Sequence, residues 1–130
     1  MMKFFTPQHS INILLVLVIA VLFFHGLVLT GVIPYSVTWG GRLQSHEEMV
    51  AFETVAVLIN LVLLTVLLMK GEFISHSIPM KWIHAVLWVY LVMFCLNTIG
   101  NLMAETWVER IAGSSLTLLS AFLCYRIVRS

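Results

Sequence analysis

The sequence predicts an all-α integral membrane protein, a bundle of four antiparallel transmembrane helices formed by a single domain over residues 1–130. Three observations lead there. Mean hydropathy is +1.03 and only 10% of residues are charged, where soluble domains carry about 25%. Four apolar runs are each long enough to cross hydrocarbon, which takes about 20 helical residues. The connections between the runs are short and polar, which forces consecutive helices to lie antiparallel beside one another. Helix is the expected state of each run, because backbone groups in lipid must find their partners within the structure.

The first span, about 11–33, contains no Asp, Glu, Lys or Arg. A cleavable signal peptide would show an apolar core of about 7–15 residues and a small-x-small site. This run is longer and closes on "LTGVIP", so it is expected to persist as a helix. The second span, about 49–69, follows the most polar stretch of the chain, "YSVTWGGRLQSHEEMVAFE" at 35–53. There Gly40 and Gly41 permit a sharp turn, and Ser45 with Glu48 three residues on has the form of a capping box. Glu47 and Glu48 also complement the positive end of the helix dipole. The connector "KGEFISHSIPMK" leads to the third span, about 82–103, and "AETWVER" to the fourth, about 109–127.

Charge distribution orients the bundle. Lys3, Lys70, Lys81, Arg126 and Arg129 share one side, whereas Arg42 and Arg110 lie on the other with Glu47, Glu48, Glu105 and Glu109. The positive-inside rule therefore puts both termini in the cytoplasm, and so uneven a split argues against a dual-topology dimer. Trp39 and Trp107 at the outer interface and Trp82 at the inner one suit the amphipathic belt. A net charge of +1 gives no reason to expect nucleic acid. Cys95 and Cys124 sit in apolar segments without a CxxC pairing and read as inert small hydrophobes. The five histidines show no metal-binding spacing, and no nucleotide fingerprint is present. Neither a metal nor another cofactor is predicted.

The polar residues inside the spans define a candidate site. At about 1.5 Å per residue, Glu53 lies roughly 9 Å outside the midplane, with Asn97 and Asn101 roughly 6 and 12 Å out on the same side. His25, Thr30, Ser114 and Ser115 fall in that outer half, and Asn60 near the middle. An intramembrane carboxylate points inward and seeks a donor. The donors on offer are Asn97, Asn101, His25 and, if the loop folds back, Arg42. These five residues make an expected ligand-binding or proton-coupling pocket open to the outer face. In the fourth span Gly113, Thr117 and Ala121 recur every four residues, a small-residue face suited to close helix packing and so to a homo-oligomer.

Several small four-span families fit the layout and fail on residues. Small multidrug transporters carry a glutamate in their first helix, which here has none. Fluoride channels carry a Phe-box that "LVMFCLNTIGN" does not match, and vitamin K epoxide reductases a CxxC that is missing. The combination "WGGR", "FE" at 52–53, "NTIGN" and "CYRI" resembles an uncharacterised family of small bacterial four-helix integral membrane proteins. That resemblance covers nearly the whole chain and implies a bacterial inner-membrane location with no activity attached.

Three functions are compatible with these features. The first is a small-molecule binding or transport protein, coupled to ions or protons through Glu53. The second is a non-enzymatic accessory subunit of a membrane complex, and the third an intramembrane enzyme acting on a lipid-like substrate with Glu53 or His25 as the acid–base group. The partners expected are membrane lipids, a small-molecule ligand and a second copy of the chain.

Overall fold

A computed structural model of the chain describes residues 6–38 and 42–130. Lys3, Trp39, Gly40 and Gly41 lie outside the described residues. Among those described there are four long helices and no strand: α1 (Pro7–Leu29), α2 (His46–Lys70), α3 (Met80–Leu102) and α4 (Ser114–Val128). A short 3-10 turn, Tyr35–Val37, lies between α1 and α2, and a π-helical turn, Glu109–Gly113, leads into α4. All four helical segments are long and apolar enough to cross a membrane.

Local chemistry moves the helix ends away from the ends of the apolar runs. α1 starts earlier than the hydropathy implies because Thr6 caps it, accepting from the His9 amide at 3.3 Å, with Pro7 in the first turn. It also ends earlier, since Gly31 takes φ +84, a conformation that an L side chain resists. Val32 and Ile33 extend the apolar run without extending the helix. At α2 the Ser45 hydroxyl accepts from the Glu48 amide at 3.1 Å, as the sequence predicts. The fourth helical segment has its own side-chain cap. Thr106 Oγ1 accepts from the Glu109 amide at 3.4 Å and donates to the Glu109 carboxylate at 3.2 Å.

The helices form a four-cornered bundle. α1 packs against α2 and α4, and α3 packs most extensively on α4 and least on α2. The main apolar core occupies one half, beside the chain termini and the 71–79 connector. Leu14, Leu67, Leu87, Leu123 and Ile127 are completely buried there, and Tyr90 closes the layer. Two polar bonds tie backbones together inside it: Tyr90 Oη donates to the Ile59 carbonyl at 2.8 Å, and Cys124 Sγ to the Leu87 carbonyl at 3.2 Å. At its rim Lys70 Nζ donates to His84 Nε2 at 2.9 Å, joining α2 to α3. A smaller cluster, Val28, Leu43 and Met49, holds the other end of α1 to the start of α2.

Between these clusters α3 is thinly covered. Its fully buried residues, Ile83, Leu87 and Tyr90, all lie in its first half. The apolar window of α3 is 17% buried, against 39% for the segment containing α4. Trp82 and Trp107 stand exposed near opposite ends of the bundle, the placement amphipathic rings favour.

Candidate functional site

The α1–α2 hairpin brings together two of the five expected residues. Glu53, on α2, is 0% exposed, and its Oε2 meets Nδ1 of His25 on α1, whose side chain is 14% exposed. His25 is thus an ionic partner of Glu53, and Arg42 is exposed in the loop. A carboxylate and an imidazole in direct contact share one proton. They are either an imidazolium–carboxylate pair or two neutral groups, and both arrangements satisfy the bond. Removing either member takes a charge-assisted bond from the other in a low-dielectric setting.

The pair is closed off unequally on its two sides. One turn outward, three positions along α1 and four back along α2, stand Val28 and Met49, 1% and 2% exposed. Those side chains also form the floor of a cleft of about 400 Å³ at the outer end of the hairpin, bounded by Thr30, Pro34, Tyr35 and His46. Val28 and Met49 are thus shared between the cleft lining and the turn next to the pair. On the opposite side lies the whole apolar core. None of the five expected residues lines the cleft, so the outward pocket that the structure holds is built from other side chains.

Asn101 belongs to a different seam. Its Nδ2 donates to Thr117 Oγ1 at 3.5 Å, and Thr98 and Thr117 exchange a hydrogen bond of 2.8 Å across α3 and α4. Thr117 also donates to the Gly113 carbonyl at 3.0 Å. A Cβ built on Gly113 would stand 3.0 Å from Asn101 Cγ, so the glycine makes room for the amide. Asn97, although four residues from Asn101, is exposed, and Asn60 returns its amide to the Ala56 carbonyl of its own helix at 2.8 Å. The expected five-residue layer is therefore corrected to a His25–Glu53 pair on one seam and Asn101 on another, with Asn97 and Arg42 outside both. The reason is geometric: depth along a helix sets height and not direction. A four-residue step turns the side chain by about 40°, enough at the edge of a seam to separate a buried residue from an exposed one.

The small-residue face of α4 is likewise used within the chain. Gly113 and Thr117 meet α3 as above, and Ala121 is 5% exposed. Part of that face is therefore engaged within the bundle. Sequence reasoning passed over the Thr98–Thr117 bond, the Thr106 cap and the Lys70–His84 contact. Of these, only "TWVE" at 106–109 carried a readable signal, the T-x-x-E pattern of a capping box. Among the described residues no group of three His, Cys, Asp or Glu is placed to hold a metal.

Comparison with family models, with curated proteins and with solved structures found no match.

Proposed function

We propose that this is a small membrane binding or transport protein coupled to protons or cations through the His25–Glu53 pair, which is approached from the outer cleft. The observation that carries the reading is a fully buried carboxylate in a membrane-spanning helix with an imidazole as its partner. Ionisable groups in such segments are costly and mark proton and ion sites, and histidine is the side chain best suited to exchange a proton near neutral pH. A buried ion pair adds little net stability relative to well-packed apolar residues, so its presence argues for use. The resemblance to small bacterial four-helix proteins and the five-to-two distribution of Lys and Arg support an inner-membrane location with both termini cytoplasmic.

The test is infrared difference spectroscopy on the purified protein in lipid, titrated from acid to neutral pH. A carboxyl C=O band that appears in wild type on acidification and is missing in Glu53→Gln is the expected result. Identical difference spectra for the two proteins would refute the assignment of the proton site to Glu53.

A further inference from the structure

The outer half of α3 holds an unmet hydrogen-bonding demand. Asn97 is exposed, and among the described residues its side-chain amide has no hydrogen-bond partner. α3 runs from Met80 to Leu102, which puts Asn97 about 9 Å from the helix midpoint at Leu91. That depth is inside the hydrocarbon, whose half-thickness is about 15 Å, and an asparagine side chain is too short to reach the interface. An amide left facing lipid there loses its water partners and gains none.

Two further observations locate a partner. Gly100, three residues on and on the adjoining face, is exposed, and a Cβ built on it meets nothing within 4 Å. Nothing inside the monomer requires a glycine there, whereas a second helix approaching closely would. This is also the half of α3 with no fully buried residue, so the surface around Asn97 is uncovered. We infer that Asn97 and Gly100 form a helix-docking face on α3 for a second copy of this chain, giving a two-fold dimer in the membrane. The second copy is the occupant that the chemistry selects. A carboxamide is both donor and acceptor, so two Asn97 side chains related by a two-fold axis satisfy each other, as an isologous interface requires. Part of the α4 small-residue face, by contrast, is already engaged against α3.

The test is the monomer–dimer equilibrium of the full chain in lipid vesicles, followed by energy transfer between labelled copies as the protein-to-lipid ratio is lowered. Asn97→Leu removes the amide, and Gly100→Leu fills the approach without touching the rest of the monomer. Each is expected to raise the dissociation constant by about three- to thirty-fold, the range set by an interhelical hydrogen bond in a membrane. Thermal unfolding in detergent should stay at the wild-type value for both, which separates loss of docking from loss of fold. A Gly100→Cys variant should cross-link to itself under mild oxidation. Wild-type protein that stays monomeric at every ratio would overturn the inference. So would a dimer unaffected by either leucine, or native-membrane cross-links from position 100 that capture only a different protein.

Discussion

Replacing His25 by leucine probes the buried pair most directly. Glu53 is fully buried and the His25 side chain is 14% exposed, so this substitution takes the imidazole away from a carboxylate in a low-dielectric interior. Breaking a buried pair from one side costs about 3–5 kcal/mol, a large share of the roughly 5–15 kcal/mol that holds a domain folded. Removing both members, in His25→Leu with Glu53→Leu, takes away the buried charge along with the bond. The double variant is expected to recover to within about 1–2 kcal/mol of wild type, since apolar replacements of buried pairs are often neutral or better. Unfolding in mild detergent at neutral pH, carried through the complete double-mutant cycle, reads the coupling as the failure of additivity. Additive single-variant losses, or a double variant worse than either single, would refute the reasoning.

Three smaller perturbations test other parts of the fold. Gly113→Leu puts a branched side chain where a Cβ alone would stand 3.0 Å from Asn101; it should destabilise by about 1–3 kcal/mol through overpacking, and Asn101→Ala in the same chain should return part of that loss in thermal unfolding. Glu72 holds φ 61 in the α2–α3 connector, a left-handed conformation costing an ordinary residue about 1 kcal/mol. Glu72→Gly is therefore expected to raise the midpoint of unfolding slightly, and Glu72→Val to lower it. Thr106→Ala removes the cap at the head of the fourth helical segment and should cost about 1 kcal/mol, with Thr106→Ser close to wild type in the same assay.

What the sequence made legible follows from which forces leave a linear trace. Span number and antiparallel order were readable because hydrocarbon thickness imposes a length and short connectors leave one arrangement. Ser45 and Glu48 were readable because a capping box is a local pattern. The ends of α1 were not read from hydropathy, because Thr6 and Gly31 act through hydrogen bonding and φ, and the apolar run continues past both. Asn97 and Asn101 show the other boundary. Their spacing says that they are near neighbours on a helix, while the seam that takes in one and leaves the other exposed is decided by how α3 packs on α4. Glu53 was recognisable from depth alone as a residue that needs a partner, and choosing His25 over Arg42 required the α1–α2 register.

The lopsided packing also has an electrical consequence. Leu14, Leu67, Leu87 and Leu123 admit no water, so the half of the bundle beside the termini acts as a dielectric slab, and most of a membrane voltage falls across it. On the proposed orientation a proton arriving at His25–Glu53 from outside crosses the turn of Val28 and Met49 and not that slab, a small part of the roughly 2.3 kcal/mol that 100 mV imposes on a full crossing. A ligand or ion bound there on the proposed reading would accordingly feel little of the membrane potential.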